Sequence, residues 1–237
     1  MGDADRALDR DVVGAREGVS GADRMQAIGI FGGTFDPIHY GHLRTALELQ
    51  QTLELQRVHF VPSAQTPQKS GPIIDGKLRL RLVKAALEGE PQFVADAREL
   101  ERPGPSYTID TLASFRKEFP RQPLCLLVGM DAFLGLPTWH RWDELLDFAH
   151  MVVAHRPGWK APDSGFLGDL LRARRTQDVA ELQAGLAGCV HVQPVTQLEI
   201  SSTDLRASIA AGLDPKFLMP DNVRRIILET ECYAETP

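Results

Sequence analysis

The 237-residue sequence lacks the features that define several large protein classes. It has no apolar run of the ~18 residues that a membrane-spanning helix needs, and its first residues mix acids with arginines instead of forming the apolar core of a secretory signal. Its three cysteines, Cys125, Cys189 and Cys232, lie far apart, which argues against a disulfide framework or a thiolate zinc site. We therefore expect a cytoplasmic protein.

An excess of positive charge is also missing. The chain has 26 basic and 32 acidic residues and a net charge of −6, which argues against a nucleic-acid partner but allows a small anionic ligand bound by a local cluster of donors. Neither common phosphate-binding motif is present, since there is no G-x-x-x-x-G-K-[ST] and no G-x-G-x-x-G. The usual kinase, ATPase and dehydrogenase interpretations are thereby excluded.

What the sequence does contain is a series of short apolar runs that alternate with amphipathic segments. Strands are predicted over residues 26–31, 57–62, 123–129, 150–156 and 189–195, with a further strand or extended segment over 92–100. Helices are predicted over 42–53, 76–87, 108–119, 143–149, 202–212 and 221–233, while 157–188 is a less regular stretch. This alternation predicts a doubly wound, Rossmann-like α/β fold, with a mostly parallel sheet, helices on both faces and a C-terminal helical extension.

The first 24 residues differ in composition from the rest. They contain six acids, four arginines, no lysine and no aromatic residue, so we expect a disordered tail that can be deleted without loss of activity. A short helix over 4–15 is the alternative. Residues 25–237 are predicted to form a single domain, and Met25 is a candidate for the natural start.

The stretch GIFGGTFDPIHYGHLRTA, residues 29–46, lies where the first strand gives way to a helix. Gly32 and Gly33 allow the backbone to approach a ligand, and the start of the helix offers unpaired N–H groups. His39 and His42 add two ring donors at the same place. Because ligands of open parallel sheets bind beyond the carboxyl ends of the strands, this stretch predicts a site for a nucleotide polyphosphate.

Two other interpretations of the histidines remain open from the residues alone. Asp36, His39 and His42 could form a metal site with one carboxylate and two imidazoles, although the segment lacks the helical H-E-x-x-H pattern. The histidines could also be ordinary surface residues on a turn.

The motif G-G-T-F-D-P-I-H-x-G-H-L resembles the signature of the nucleotidyltransferase superfamily marked by H-x-G-H, here HYGH at 39–42. Within that superfamily, the chain resembles the bacterial nicotinate-nucleotide adenylyltransferases from Gln26 to about Tyr233. The likeness also includes GPSYTIDTL (104–112), VGMDAFLGLPTWHRW (128–142), HRPG (155–158) and ISSTDLR (200–206). It implies transfer of the adenylyl group of ATP to nicotinate mononucleotide by direct in-line attack, without a covalent intermediate. Deamido-NAD and pyrophosphate would be the products, in NAD biosynthesis.

The resemblance also implies roles for individual residues. His39, His42 and Arg206 would be catalytic and would hold the ATP phosphates. The ATP site would comprise Gly32, Gly33, Thr34, Phe35, His39, His42, Gly129, Asp131, Ser201, Ser202, Thr203 and Arg206. The nicotinate mononucleotide site would comprise Thr34, Lys69, Tyr107, Thr108, Trp139 and His140. Mg²⁺ would be held by the ATP phosphates and not by a protein metal site.

Within the second site, Trp139 would stack on the pyridine ring, and backbone N–H groups around Tyr107, Thr108 and His140 would bind its carboxylate. The sequence departs from the family pattern after the second strand, where PSAQTPQKS keeps Lys69 but has Gln68 beside it. A contact between a basic side chain of that loop and the substrate is therefore in question.

From the local sequence alone, Arg206 could be a solvated residue on a capped helix, Asp131 a first-turn acid and Trp139 a core residue. Three rival functions remain if these residues and motifs are interpreted differently. They are a relative that uses phosphopantetheine or nicotinamide mononucleotide, a nucleotide-binding regulator that has lost catalysis, and a metal-dependent hydrolase built on Asp36, His39 and His42. The PSYT and PTW stretches argue against other acceptors, and the retained histidines and Arg206 argue against the regulator. The sequence leaves open whether the protein is a homo-oligomer.

Overall fold

A computed structural model describes residues 25–64, 73–156 and 161–234. The predictions made for the first 24 residues and for Lys69 lie outside these ranges.

The described residues form one seven-stranded sheet in which all neighbouring strands are parallel. The strands are β1 (Ile28–Gly33), β2 (Arg57–Pro62), β3 (Phe93–Ala95), β4 (Leu124–Gly129), β5 (His150–His155), β6 (Arg175–Thr176) and β7 (Val190–Pro194). Their order across the sheet is β3-β2-β1-β4-β5-β7-β6. The chain therefore reverses its direction of winding between β1 and β4, and that switch point is where open α/β sheets bind ligands.

Ten α-helices occur within the described ranges. They are α1 (Tyr40–Thr52), α2 (Gly76–Ala86), α3 (Arg98–Glu101), α4 (Thr108–Glu118), α5 (Met130–Leu134), α6 (Leu145–Phe148), α7 (Gly165–Arg174), α8 (Val179–Ala184), α9 (Ser202–Ala210) and α10 (Asp221–Thr230). Two short 3₁₀ turns, Leu136–Thr138 and Trp142–Glu144, connect α5 to α6. Within the described ranges, no helix is both long enough and apolar enough to cross a membrane.

The sheet is buried on both faces because most positions of its central strands are apolar. Along β4, Leu124 and Leu126 pack in one hydrophobic cluster, while Cys125 and Leu127 pack in another. Since successive strand residues point to opposite faces, the two clusters lie on opposite sides of the sheet. The doubly wound, mostly parallel α/β fold predicted from the sequence is confirmed.

Two predictions about secondary structure were wrong. The extended segment over 92–100 ends at Ala95, and α3 follows because Asp96 accepts a hydrogen bond from the backbone N of Arg98 (3.0 Å) and turns the chain. The stretch 157–188, expected to be less regular than the rest, contains α7, β6 and α8 in its described part, 161–188.

Some helix boundaries also differ from the predictions. Helix α1 begins at Tyr40, before the predicted start, and the predicted 143–149 helix is a 3₁₀ turn followed by α6. Helix α10 ends at Thr230, because Glu231 adopts a left-handed conformation with φ 49°.

Candidate active site

A cavity of about 970 Å³ opens at the switch point, beyond the carboxyl ends of β1 and β4. Its wall includes residues from the end of β1, from the start of α4 and from the segment after β4. Of the residues predicted to bind ligand, those that line it are Gly32, Gly33, Thr34, Tyr107, Thr108, Gly129, Asp131, Trp139 and His140. Two groups of residues assigned from the sequence to different substrates therefore share one cavity.

Two glycines leave the strand ends open to that cavity. A Cβ atom at Gly32 or at Gly129 would have no protein atom within 4 Å. A ligand can therefore approach the backbone at both strand ends, which is the usual reason for glycine in a phosphate- or nucleotide-binding turn.

The start of α4, at Tyr107 and Thr108, also lines the cavity. Tyr107 precedes the helix in an extended conformation, and no described side chain caps the helix. The N–H groups of Asp110 and Thr111 donate to Tyr107 O, which leaves those of Thr108 and Ile109 without a partner inside the helix. The rings of Tyr107 and His140 lie 4.3 Å apart between centroids. Uncapped N–H groups at the positive end of a helix suit an anionic group such as a carboxylate.

Trp139 is half-buried at the edge of one hydrophobic cluster and lines the cavity. Its backbone N–H donates to Leu136 O (2.9 Å), which fixes the main chain at that position. The side chain therefore belongs both to the core and to the cavity wall. Trp142, by contrast, packs edge-on against Phe166 at 4.2 Å.

A second group of predicted residues lies between the end of β1 and the first turn of α1, in a segment (residues 34–42) that we call the phosphate loop after the phosphate site that the sequence predicts there. His39 is buried and His42 is partly exposed, and their rings stack with centroids 3.8 Å apart. The Nδ1 atoms of both rings are buried and have no hydrogen-bond partner among the described residues. Buried polar atoms of native proteins are nearly always paired, so a missing partner points to a bound group.

Burial keeps both imidazoles neutral at pH 7. It lowers the pKa of His39 to about 4, and burial together with the nearby His39 lowers the pKa of His42 well below its ordinary value. A neutral imidazole carries one N–H, and nothing bonded to Nδ1 fixes which ring nitrogen holds it. His150 shows the contrast, because its Nδ1 accepts from Cys189 N (3.1 Å) and its other nitrogen must then donate to Gly185 O.

The start of α9 packs against the phosphate loop. Ser202 Oγ donates to Pro37 O (3.0 Å), and Arg206 Nη1 donates to Asp36 O (2.6 Å). A second nitrogen of Arg206, Nη2, donates to Thr203 Oγ1 (3.2 Å). Arg206 is thus oriented beside the loop and not solvated along a helix face, and its remaining N–H groups can reach an anion.

Ser201 caps α9, with its Oγ accepting from Asp204 N (3.5 Å).

The metal-site interpretation of Asp36, His39 and His42 does not agree with this geometry. The carboxylate of Asp36 accepts from Tyr233 Oη at one oxygen (2.6 Å) and from Ile73 N at the other (2.8 Å). Within residues 25–64, 73–156 and 161–234, no group of three or more His, Cys, Asp and Glu side chains is arranged to hold a metal ion.

Comparison with known proteins identifies the family. The sequence model of the cytidylyltransferase-like family matches residues 30–208, which is more than half of the chain. A relative from Methylococcus capsulatus, named "probable nicotinate-nucleotide adenylyltransferase", is 46% identical over 209 residues, or 88% of this chain and 100% of its own. The chain belongs to the nicotinate-nucleotide adenylyltransferase family. It is therefore a nucleotidyltransferase by family.

A second relative with the same printed name, from Aeromonas hydrophila, is 46% identical over 206 residues, or 87% of this chain and 96% of its own. Among solved structures, the Plasmodium falciparum nicotinic acid mononucleotide adenylyltransferase complexed with NaAD matches with a TM-score of 0.67 and 16% identity, covering 88% of this chain and 97% of its own. At that identity, the likeness concerns the fold alone.

Not every residue that the family resemblance suggested lines the cavity. The two histidines and the residues of α9 lie at the phosphate loop. Phe35 is 2% exposed, and the centroid of its ring lies 5.1 Å from that of His42. Its side chain therefore packs in the core against the phosphate loop and does not line the cavity. The cavity and the loop are adjacent, since Phe31 lines the cavity and also contacts the rings of Phe35 and His42.

The cavity wall of this family member also contains residues that the sequence analysis missed. They include Ser63, Glu99, Ser106, Thr111, Arg156 and Gln197. Glu99 is buried, accepts from Thr111 Oγ1 (2.6 Å), and has its pKa raised by burial. The sequence analysis missed Glu99 because the segment that contains it, 92–100, was predicted to be a strand or extended segment. Arg156 follows β5 within the HRPG stretch, so that motif could have identified it.

Proposed function

We propose that the chain transfers the adenylyl group of ATP to nicotinate mononucleotide, giving deamido-NAD and pyrophosphate in NAD biosynthesis. The observation that carries the proposal is the shared cavity. Open strand ends at Gly32 and Gly129 form one part of its wall, and Trp139 with the uncapped start of α4 forms another. A site that must hold two nucleotides for direct reaction needs both surfaces within one cavity.

The reaction needs no protein nucleophile. A phosphate oxygen of nicotinate mononucleotide attacks the α-phosphorus of ATP, forming a new O–P bond. The bond from that phosphorus to the bridging oxygen of the β-phosphate breaks, and pyrophosphate leaves with the electron pair. Because the attacking oxygen is already anionic at pH 7, no general base is required. The protein contributes positioning and charge stabilisation, which dominate phosphoryl-type transfers.

His39 and His42 hold the ATP phosphates in this proposal. Their neutral rings can each turn one N–H towards a phosphate oxygen, because no bond at Nδ1 fixes the tautomer. The negative charge of a bound triphosphate favours protonation of the rings, so stabilisation grows as charge develops on the leaving group. Arg206 supplies a planar cation from α9 that suits multidentate phosphate contact.

The two nucleosides occupy the two ends of the cavity. Asp131 lies in the first turn of α5, is exposed, and lines the cavity, where its carboxylate can accept hydrogen bonds from the ribose hydroxyls of ATP. At the other end Trp139 stacks on the pyridine ring. The N–H groups around Tyr107 and Thr108 bind the pyridine carboxylate at the positive end of α4.

Magnesium accompanies ATP in this proposal. The donor set fits a Mg²⁺ held by phosphate oxygens and water, since the described side chains contain no carboxylate cluster that would compete for it. Held in that way, the ion would supply positive charge against the phosphate oxygens.

The test is a single incubation series with ATP, Mg²⁺ and either nicotinate mononucleotide or nicotinamide mononucleotide, in which dinucleotide and pyrophosphate are measured together. We expect equimolar deamido-NAD and pyrophosphate with the nicotinate substrate. Phosphate release without dinucleotide would contradict adenylyl transfer, and preferential use of the amide would contradict the assigned acceptor.

A further inference from the structure

Asp36, in the middle of the phosphate loop, is bound by groups from three distant parts of the chain. Tyr233 Oη donates to Oδ1 (2.6 Å), and Ile73 N donates to Oδ2 (2.8 Å). Arg206 Nη1 donates to the backbone oxygen of Asp36 (2.6 Å) and lies 4.0 Å from Oδ2. Asp36 therefore connects the loop to α9 and to the residues that follow α10.

The contact between Tyr233 and Asp36 is almost shielded from water. Tyr233 is 5% exposed and Asp36 is 3% exposed, and the tyrosine ring belongs to the hydrophobic cluster around α10. Burial, with the adjacent Asp36 carboxylate, raises the pKa of Tyr233, so its hydroxyl remains a donor at every working pH. A buried carboxylate that loses such a donor is left under-paired, and the loop around it must move to compensate.

We propose that Tyr233 is a positioning residue for adenylyl transfer. Its hydroxyl fixes the Asp36 carboxylate, and Asp36 in turn fixes the loop that carries His39 and His42 and the carbonyl that orients Arg206. Tyr233 is not among the residues that line the cavity, so it acts through Asp36 and not on a substrate. This inference rests on the proposed function, because it assigns the loop and Arg206 to the ATP phosphates.

The geometry separates two effects of losing the hydroxyl. The histidines and Arg206 meet charge that develops on the phosphates, so their displacement lowers kcat. The pyridine end of the cavity is built from α4 and the segment after β4, neither of which contacts Asp36 in a described hydrogen bond. Affinity for nicotinate mononucleotide should therefore be unchanged.

The experiment compares Tyr233→Phe with Ile227→Val, which removes one methylene from the same hydrophobic cluster and leaves Asp36 untouched. Thermal unfolding, kcat, KM for ATP and calorimetric affinity for nicotinate mononucleotide are measured for both variants. We expect both to melt a few degrees lower. Only Tyr233→Phe should lose kcat, by about 5- to 100-fold, since misplacement at a distance costs up to about that much.

Asp36→Ala provides the coupling test, because alanine has no side-chain oxygen to accept from the Tyr233 hydroxyl. If Tyr233 acts through Asp36, then adding Tyr233→Phe to Asp36→Ala should lower kcat by less than about twofold, because the contact is already lost. A kcat for Tyr233→Phe equal to that of Ile227→Val would overturn the positioning role. So would equal losses from Tyr233→Phe with and without Asp36→Ala. Failure of the unmutated protein to form dinucleotide would instead overturn the proposed function itself.

Discussion

The ring of Phe35 occupies the space in which a side chain at Gly33 would begin. A Cβ atom at position 33 would lie 2.9 Å from Cζ of Phe35, closer than real contacts allow. Phe35 adopts a left-handed φ of 49°, an unfavourable conformation for a bulky residue, and its buried ring packs against Phe31, Phe60 and His42. The glycine and the strained phenylalanine together turn the chain from β1 into the phosphate loop.

This relationship predicts opposite results for the two neighbouring glycines. Gly33→Ala should lower the free energy of unfolding by about 1–3 kcal/mol, because the ring of Phe35 must move within a packed core. Gly32→Ala should change stability by less than about 0.5 kcal/mol, since its methyl group meets no protein atom within 4 Å, but it should raise KM for ATP. Denaturant unfolding and steady-state kinetics on both variants check this. A Gly32→Ala protein with unchanged KM would contradict the assignment of the β1 end to ATP.

His42→Ala should lower kcat by about 10²–10³-fold, the usual loss when one donor to a developing charge is removed. The fold should persist, because Nδ1 of His42 has no protein partner among the described residues and loss of the ring breaks no described side-chain hydrogen bond. Arg44→Ala, an exposed change on the same helix, is the matched control and should keep full activity. Normal turnover by His42→Ala would contradict the phosphate-site assignment.

Stability should fall as the pH drops below about 6.5. The unfolded chain protonates His39 near its ordinary pKa of 6.5, whereas burial lowers the folded-state pKa to about 4. Between those values the unfolded state binds more protons, so the stability present above pH 6.5 is lost by up to about 1.4 kcal/mol per pH unit from this residue. Asp96, with its pKa lowered through contacts to His59 and Arg98, loses its contribution only at lower pH.

The measurement is denaturant unfolding of the unmutated protein and of His39→Gln between pH 4.5 and 7.5. His42 and His150 also have their pKa lowered by burial and contribute to the decline in both proteins, so the difference between the two profiles reports His39 together with its effect on the adjacent His42. Parallel pH profiles for the two proteins would show that His39 is not held neutral in the folded state.

The acceptor site should discriminate a carboxylate from an amide. The carboxylate of nicotinate mononucleotide only accepts hydrogen bonds, and the uncapped N–H groups at the start of α4 only donate. The NH₂ of an amide would face those donors and leave one unpaired, at a cost of about 1–3 kcal/mol or more. We expect kcat/KM for nicotinate mononucleotide at least ~10²-fold above that for nicotinamide mononucleotide.

Trp139→Ala serves as the control for that selectivity. Stacking on the ring does not distinguish the substituents, so this variant should weaken both substrates by a similar factor and preserve their ratio. Equal kcat/KM of the unmutated enzyme on the two mononucleotides would contradict the assignment of a carboxylate-binding site to the start of α4.

Much of the fold could be predicted because its strands are continuous apolar runs. The segment 123–129 is one of these, and β4 forms there. Shorter elements gave no such signal. Phe93–Ala95 and Arg98–Glu101 each hold too few residues for a period of 2 or 3.6 to be distinguished, so a strand followed by a helical turn resembled one extended segment.

The residues of the candidate site also fall into those that a local sequence pattern indicates and those that it does not. His39, His42 and Arg206 belong to local motifs, so the sequence could identify them as candidates. The partner of Asp36 could not be found, because Tyr233 is 197 positions away and no local pattern reports a pairing over that separation. Glu99 and Thr111 were missed for a related reason, since their side chains meet only after α3 and α4 have packed.

The contacts of Asp36 also determine when the site can first exist in a newly made chain. Its partners Arg206 and Tyr233 are synthesised 170 and 197 residues later. At about 5–20 residues per second, a ribosome needs roughly 10–40 s to reach Tyr233 after Asp36. The phosphate loop is therefore made well before α9 and the residues after α10 that hold it in place, and a nascent chain halted before residue 206 carries both histidines without these contacts.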